Sequence, residues 1–203
     1  MSLPLPVESI SSHPDFRPLA SIAGIGVDLR YASADNFVGR DLYSPLDCAW
    51  LHRHAASGLE KSIAWLARER ADLRLLVLDA LRPQRVQEAL WEALQGTDLL
   101  GYLANPVRGS IHSFGMAVDM TLLDRHGHEL EMGSPFDDLS ERSHPALEDG
   151  MLARGELTAT HIGNRQLLRE SMRAGNFNGI NSEWWHFDCG DRALVRAEYT
   201  RIL

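Results

Sequence analysis

Apolar residues recur at the spacing of one helix face in three stretches of the chain. The predicted helices cover residues 50–70, the segment that opens at Pro83 and stops near Gly96, and residues 164–174. Proline suits a first helical turn, because its φ angle is already helical and its missing N–H would have no partner there. The residues predicted to face inward are Leu59, Ile63, Leu66, Ala67, Val86, Leu90, Ala93, Leu94, Leu167, Leu168 and Met172.

Strand-like patterns lie between and after these helices. Residues 73–79 read LRLLVLD, a nearly continuous apolar run of the length typical of a buried strand. Residues 117–123 alternate and are rich in β-forming side chains, and the DRHGH sequence after them is typical of a hairpin turn. Shorter strands are predicted for residues 27–31, 129–132 and 180–188. The pattern predicts an α+β fold, in which helices pack on a small, mainly antiparallel sheet.

Two segments lack a periodic pattern. Residues 1–24 are rich in proline and serine and are predicted to form an irregular arm on the domain. Residues 133–160 form a long polar stretch, and a loop of that length inside a compact domain is usually functional. We find no internal repeat or linker, so residues 25–203 are predicted to form a single domain.

The composition narrows the range of partners and compartments. Hydrophobic residues make up 44% and charged residues 24% of the 203 positions, as in ordinary globular proteins. The formal net charge of -8 argues against nucleic acid or an anionic membrane surface, since both attract basic proteins. The first residues do not resemble a secretory signal, and Cys48 and Cys189 are too few for a disulfide framework. A cytoplasmic location is therefore expected.

Two short segments carry residues suited to a metal. His112 and Asp119 are seven residues apart, which fits one ligand at the end of a loop and a second on the strand that follows. Taken alone, this pair fits a surface histidine and an edge aspartate equally well. Glu183 and His186 favour the metal, since two imidazoles and one carboxylate leave the fourth position of a tetrahedral zinc site open for water. Zinc would lower the pKa of that water to about 7.

Two further residues are candidates for the chemistry beside such a metal. Glu183 is a spare carboxylate that could take a proton from the water and pass it to a leaving amine. Residues three apart on a regular strand face opposite sides, so Glu183 and His186 share a site only if the strand is bulged, twisted or at its end. Arg82 follows a buried strand and offers a fixed cation for charge on a carbonyl oxygen. From the sequence alone, a loop cap or an ion pair with Asp79 is the favoured interpretation of Arg82.

The other histidines, the second cysteine and the paired tryptophans are weaker candidates. Four histidines in helix or turn contexts are expected to be solvated: His52, His54, His126 and His128. His144 lies in the polar stretch and is a candidate for a supporting role at the metal. Cys189 follows His186 closely, but a half-buried thiol is the simpler interpretation. Trp184 and Trp185 are expected in the core, with at least one of them at the wall of the metal site.

The two metal-suited segments resemble the zinc D-alanyl-D-alanine dipeptidases of the VanX type. The family pattern is Ser-x-His-x-x-Gly-x-Ala-x-Asp followed much later by Glu-x-Trp-His, and this chain has SIHSFGMAVD and EWWH. Further similar blocks are LRYASADNFVG, LDALRPQR, MGSPFDD and ERSH. The resemblance covers about residues 25–190 and implies the α+β zinc fold shared by D,D-carboxypeptidases and the hedgehog signalling domain.

The resemblance implies a role for each metal-site residue. His112, Asp119 and His186 would bind one zinc ion per chain. Glu183 would be the catalytic base, and Arg82 would stabilise the tetrahedral intermediate instead of serving only a structural role. Residues 25–203 would then be a single catalytic metallopeptidase domain.

The implied reaction is zinc-dependent hydrolysis of the D-Ala-D-Ala dipeptide to two D-alanines. Asp137 would receive the ammonium group of the substrate, and Ser110 and Tyr31 would line the substrate pocket. Burial of an acid is costly unless an ammonium group pairs with it, which would favour a free dipeptide over a longer peptide.

Two other functions stay open at this point. A D,D-carboxypeptidase would use the same metal machinery on peptidoglycan stem peptides in a more open cleft. A catalytically silent zinc-binding module would have no need of Glu183 or Arg82. The chain also departs from the family pattern at Phe114 and Met120, and the short stretch before Ser110 is expected to reshape the entrance.

Overall fold

A computed structural model describes residues 3–203 of the chain. Its α-helices are α1 (Arg53–Glu69), α2 (Gln84–Ala93), α3 (Glu148–Ala153), α4 (Ala159–Ala174) and α5 (Arg192–Glu198). Its strands are β1 (Phe16–Pro18), β2 (Ile25–Val27), β3 (Trp50–His52), β4 (Arg74–Asp79), β5 (Ala117–Leu123), β6 (Phe177–Gly179) and β7 (His186–Cys189). Short 3-10 helices lie at Val7–Ser12, Leu19–Ser21, Arg30–Ala32, Asp98–Tyr102, Ile111–Phe114, Glu141–Ser143 and Pro145–Leu147.

The main sheet has the strand order β2-β4-β5-β7-β6. Strand β2 runs parallel to β4, and the other neighbours are antiparallel. The predicted α+β class with a mainly antiparallel sheet is therefore confirmed. Strand β5 lies at the centre with every residue buried, which explains why its sequence is mostly apolar.

Helices α1 and α4 pack on each other and on the strands of this sheet. Their close approach depends on a glycine, because a Cβ atom on Gly58 would lie 2.6 Å from the carbonyl oxygen of Gly175. Leu59 and Leu168 are fully buried in the core that these helices share with Met120 of the sheet. The packing holds β4, β5 and β7 in a fixed frame, and the ends of these strands carry the site.

Several predicted elements are confirmed in place, although some bounds shift. Strand β5 has the predicted bounds, and β4 begins at Arg74. Helix α4 begins earlier than predicted, at Ala159, because Thr158 caps it through a reciprocal side-chain pair with His161. Ala67 and Ala93 were predicted to face inward and are exposed, since each lies at the edge of its apolar face.

The predicted final strand over residues 180–188 is wrong in its first part. Residues 180–185 form an irregular connection, and strand β7 begins at His186. Both Trp184 and Trp185 are buried, at 2% exposure each. Their burial alone does not exclude a strand, since β5 buries every one of its residues; the apolar pattern therefore predicted burial correctly and the backbone conformation wrongly.

Two other short strands also differ from their prediction. The strand predicted for residues 27–31 is instead β2, at Ile25–Val27, and the chain then turns so that Tyr31 packs beside Tyr43. The predicted return strand at 129–132 forms only an isolated bridge between Leu123 and Glu129. The chain bends away at Gly133, whose φ of 84° is readily adopted by glycine alone.

The predicted irregular arm is partly regular where it is described. Strand β1 pairs with β3, and the apolar side chains of Val7, Ile10 and Phe16 are buried. Its short elements are below the length at which periodicity can be recognised. The first two residues of the predicted arm lie outside the described residues.

The long polar stretch at 133–160 contains α3 and short 3-10 turns, and a buried arginine fixes its first part. Arg165 of α4 is fully buried and donates to the Met132 carbonyl over 2.6 Å and to the Arg142 carbonyl over 2.8 Å. Its ion-pair partner Glu148 is also buried. This loop therefore has a defined conformation at the position of Asp137.

Candidate metal centre and active site

Three predicted ligands meet at the ends of β5 and β7. Nδ1 of His186 lies 2.9 Å from Oδ1 of Asp119. Nε2 of His112 lies 3.1 Å from the same His186 nitrogen and 3.3 Å from the same Asp119 oxygen. The structure thus brings together two imidazoles and one carboxylate that are far apart in the sequence.

Strand register and one glycine produce this arrangement. Asp79, Asp119 and His186 form a row across the sheet, because Asp119 is the register partner of Asp79 on β4 and of His186 on β7. His112 reaches the row from the 3-10 helix just before β5. Gly115 makes the bend between them with φ 63°, and a Cβ atom there would lie 2.7 Å from the backbone nitrogen of His52.

Both imidazoles are oriented by partners on their other nitrogen. Nδ1 of His112 donates to the Ala80 carbonyl over 2.7 Å, and Nε2 of His186 donates to Oδ1 of Asp188 over 3.0 Å. Burial alone would raise the pKa of Asp188, but His186 and Arg192 lower it to about 2. These contacts leave Nε2 of His112 and Nδ1 of His186 directed at Asp119, the arrangement that holds metal-binding histidines in place.

The three ligand atoms fit a small divalent cation. Zinc bonds of about 2.0–2.2 Å in tetrahedral geometry separate neighbouring ligand atoms by about 3.3 Å. The observed separations of 2.9 to 3.3 Å require only a slight expansion. Within residues 3–203, these three form the group of histidine, cysteine or acidic side chains whose ligand atoms all lie within 4.8 Å of one another. A donor set of two nitrogens and one oxygen suits zinc and leaves one position open.

Glu183 lies in the connection between β6 and β7 and lines the same cleft as the ligands. Because His186 is the first residue of β7 and Glu183 lies before the strand, the three-residue spacing does not force the two side chains to opposite faces. Burial raises the pKa of the Glu183 carboxyl to about 7. A carboxyl group with such a pKa can both accept and release a proton near neutral pH.

Arg82 is buried and held from several sides. Its Nε and Nη2 donate to Oδ2 of Asp79 over 2.9 and 2.6 Å, and Nη1 donates to Oε1 of Gln87 over 3.2 Å. Nη2 also lies 3.4 Å from Oδ2 of Asp119, and the guanidinium stacks 4.9 Å from the centre of the Tyr31 ring. The ion pair with Asp79 is confirmed, and Arg82 lines the cleft as well.

Asp137 lines the cleft and is held in place by Tyr31. The Tyr31 hydroxyl donates to Oδ1 of Asp137 over 3.0 Å, and the backbone N–H of Phe37 points to Oδ2 at 3.5 Å. Asp137 adopts a positive φ of 61°, which is uncommon outside glycine. Burial, with Asp119 nearby, raises the pKa of Asp137 to about 8. The carboxyl is therefore a buried acid with few donors, suited to a cationic partner.

One cleft of about 220 Å³ contains every predicted site residue. They are Tyr31, Arg82, Ser110, His112, Asp119, Asp137, Glu183 and His186. Trp185 forms part of the wall, as predicted, whereas Trp184 is core and donates from Nε1 to Ser134 over 3.0 Å. The cleft is smaller than the roughly 300–1,000 Å³ of pockets for drug-sized ligands, so it suits a small substrate.

The weaker candidates have varied outcomes. His54, His126 and His128 are exposed as expected, but His52 is buried, which lowers its pKa to about 4. His144, a candidate for a supporting role, bonds to the Tyr102 hydroxyl over 2.8 Å and does not line the cleft. Cys189 is a buried thiol outside the ligand group, and burial raises its pKa to about 11.

The departures from the family pattern lie at packing positions, and the short segment shapes the entrance. Phe114 and Met120 are buried, and the Arg201 guanidinium lies 5.4 Å from the centre of the Phe114 ring. Neither residue lines the cleft. Residues 101–104, from the short stretch before Ser110, form part of its wall.

Several supporting residues at the site were not predicted from the sequence. Asp188 orients His186, and its position two residues later on one strand could have indicated a shared face. Tyr43 donates to Asp79, and Gln87 holds Arg82 while donating to the Ala104 carbonyl over 2.9 Å. No local signal marks Tyr43, because its partner Asp79 is 36 residues away in the sequence. Gln87 is only five residues from Arg82, but no motif or helical spacing indicates that the two side chains meet.

Comparison with known proteins assigns the chain to a family. A family model described as Peptidase_M15, D-ala-D-ala dipeptidase, matches residues 14–202. The chain belongs to this family. The D-alanyl-D-alanine dipeptidase of Escherichia coli (strain K12) is 40% identical over 162 residues, which cover 80% of this chain and 77% of that protein. The enzyme of the same name from Enterococcus faecium is 31% identical over 189 residues, which cover 82% of this chain and 86% of that protein.

Membership in this peptidase family confirms the resemblance drawn from SIHSFGMAVD and EWWH. A further relative, the D-alanyl-D-alanine dipeptidase of Enterococcus faecalis (strain ATCC 700802 / V583), is 30% identical over 190 residues, covering 81% of this chain and 85% of that protein. Within residues 3–203, no helix is both long and apolar enough to cross a membrane.

Proposed function

We propose that this protein hydrolyses the dipeptide D-Ala-D-Ala to two D-alanines in a zinc-dependent reaction. The observation that carries the proposal is the convergence of His112, Asp119 and His186 with Glu183 and Asp137 in one small cleft. The names of the relatives support the same substrate.

His112, Asp119 and His186 would hold the zinc ion. When bound in such a three-ligand site, zinc activates water at neutral pH and polarises a carbonyl oxygen. The hydrogen bonds of Ala80 and Asp188 fix the two imidazoles, so the ligand atoms are oriented before the metal arrives.

Glu183 is the proposed general base and acid. Its carboxylate oxygen accepts a proton from the attacking water and then delivers that proton to the departing amine of the second D-alanine. Burial raises the pKa of this carboxyl, which suits both steps because proton transfer in each direction is then closer to balanced near neutral pH.

Arg82 is the proposed donor to the oxygen that becomes negative. A guanidinium has five N–H groups, and four of them point to Asp79, Gln87 and Asp119. The fifth, on Nη1, has no protein acceptor in the described part of the chain. Since Arg82 is buried and fixed by its partners, this N–H can stabilise developing charge with little reorganisation.

Asp137 is the proposed receptor for the substrate's ammonium group. Its burial makes the ionised carboxylate costly until a cation pairs with it. A longer peptide has no charge at that position, and the small cleft leaves little room for further residues. Both observations favour a free dipeptide over the end of a peptidoglycan stem peptide.

The proposal is tested by measuring D-alanine release from D-Ala-D-Ala, with L-Ala-L-Ala and a stem pentapeptide as parallel substrates. We expect release from D-Ala-D-Ala alone, loss of activity with a chelator and recovery when zinc is restored. Equal or faster release from the pentapeptide would instead assign a D,D-carboxypeptidase. A zinc-loaded protein that releases D-alanine from neither D substrate would be a silent binding module.

A further inference from the structure

Three arginines gather at one edge of the cleft, in a chain whose net charge is -8. Arg108, Arg192 and Arg196 all line the cleft, and together they are called the arginine rim here. Arg108 comes from the segment before Ser110, and the other two come from helix α5. The acidic composition of the chain does not explain this local excess of positive charge.

The rim is tied to the site by specific contacts. Arg192 forms an ion pair with Asp188, the partner of His186. Arg196 donates from Nε to the Gly109 carbonyl over 3.1 Å, directly beside Ser110, and from Nη1 to the Arg192 carbonyl over 3.3 Å. In residues 3–203, neither Arg196 nor Arg108 has a carboxylate within 4.0 Å. Two cations at the cleft edge thus lack an anionic partner.

The placement of these arginines is locally unfavourable. Arg192 and Arg196 are four residues apart on α5, where like charges repel and destabilise a helix. The pKa of Arg196 lies below its ordinary value, because the guanidinium is partly desolvated and Arg108 and Arg192 are close. Asp188 offsets part of this repulsion at Arg196, and a bound anion would relieve the rest.

The rim and Asp137 lie at opposite ends of a series of contacts that passes through the metal centre. The series begins at Asp137 and runs through Tyr31, Arg82, Asp119, His186, Asp188 and Arg192 to Arg196. A dipeptide zwitterion has the matching order of ammonium group, scissile carbonyl and carboxylate. The order of charges along this series of contacts therefore matches the order of charges in the substrate.

We propose that the arginine rim, through Arg196 and Arg108, binds the free α-carboxylate of the dipeptide and thereby selects substrates with an ionised C-terminus. The proposal rests on the proposed dipeptidase function and adds the specificity for this end of the substrate. A guanidinium suits this task, because it stays charged at every working pH and its planar donors match a carboxylate.

The test compares D-Ala-D-Ala with D-Ala-D-Ala amide, which lacks the negative charge, on the zinc-loaded protein. For Arg196→Gln we expect kcat/KM on the free acid to fall roughly 10- to 100-fold, mainly through KM, with a change below about threefold on the amide. Arg196→Lys keeps the charge and is expected to recover part of the loss. Arg125→Gln removes an exposed arginine from the hairpin turn far from the cleft and serves as the control.

If kcat/KM falls equally on the acid and the amide, Arg196 has a structural role instead. If kcat/KM falls on neither substrate, Arg196 has no role in binding. Either result overturns the proposal. Arg108→Gln, on a separate segment, gives the same comparison if the Arg196 variant does not fold. If the wild-type protein hydrolyses neither substrate, the proposed function fails first. The affinities of the acid and the amide for the wild type and the variant are then measured by calorimetry. If Arg196→Gln binds the acid as tightly as the wild type does, the proposed carboxylate binding by the rim is wrong.

Discussion

Nε2 of His186 donates a hydrogen bond to Asp188 across 3.0 Å on the same face of strand β7. This contact fixes which nitrogen of the imidazole faces Asp119 and His112. Asp188 is itself ionised and held by Arg192, so it also raises the basicity of the imidazole. The pair thus links the start of helix α5 to the metal centre.

Asp188→Asn is expected to weaken zinc binding by roughly 10- to 100-fold, because the charged partner of His186 is lost while the side-chain shape is kept. Competition with a chromogenic chelator measures the affinity. Asp149→Asn, an exposed change in α3, is the control. Unchanged zinc affinity in Asp188→Asn would show that the contact does not support the metal.

Glu183→Gln should keep zinc and lose activity. The glutamine has the same shape but cannot carry the proton, so kcat on D-Ala-D-Ala is expected to fall about 10²- to 10⁴-fold. Zinc content by atomic absorption and D-alanine release are measured on the same sample. Glu156→Gln, at an exposed ion pair, should leave both unchanged, and wild-type kcat in Glu183→Gln would remove Glu183 from the mechanism.

The pH dependence of kcat/KM should report Glu183. Burial raises its pKa to about 7, and a zinc ion beside it lowers that value, since the opposite charge favours the carboxylate. A general base acts when ionised, so activity is expected to fall as the pH drops, with a midpoint above the ordinary 4.5 and not above about 7. Zinc content at each pH separates this from metal loss, and full activity down to pH 4.5 would contradict the assignment.

Asp137→Asn is expected to reduce activity and increase stability. The loss of the charge that pairs with the ammonium group should lower kcat/KM on D-Ala-D-Ala roughly 10- to 100-fold, with zinc binding retained. In the wild type the folded-state pKa of about 8 lies above the unfolded value near 3.9, so stability falls as the pH rises between them. In Asp137→Asn the side chain does not ionise, so this fall in stability with rising pH is absent.

The stability half of this prediction is checked by thermal unfolding at two pH values. The Tm of Asp137→Asn should exceed that of the wild type at pH 8, and the difference should shrink at pH 5.5. A variant that is less stable at pH 8 would show that Asp137 is already paired within the protein.

The buried Arg165 is expected to support the loop that carries Asp137. Arg165→Met removes the donors to the Met132 and Arg142 carbonyls and one partner of buried Glu148. We expect a loss of about 3 kcal/mol or more in the free energy of unfolding, measured in urea. Arg173→Met, an exposed change on the same helix, should cost far less, and similar losses in both would contradict this role.

Much of the fold follows from local patterns along the chain. The alternation of residues 117–123 gives β5 its bounds, and the helical spacing around Leu59 and Leu90 gives α1 and α2. These patterns are reliable because each element must bury one face or both. They fail at residues 180–185, because an apolar pattern indicates burial but does not distinguish a buried strand from a buried irregular connection.

The sequence by itself indicated His112, Asp119 and His186 as candidate metal ligands, because two imidazoles and a carboxylate are the residue types that suit zinc. Only the tertiary structure decided which groups surround them. It put Glu183 outside strand β7, gave His186 its partner Asp188, and gathered the arginine rim beside the cleft. The reason is physical: these groups are distant in the sequence or outside regular elements, and strand register and packing alone bring their charges together.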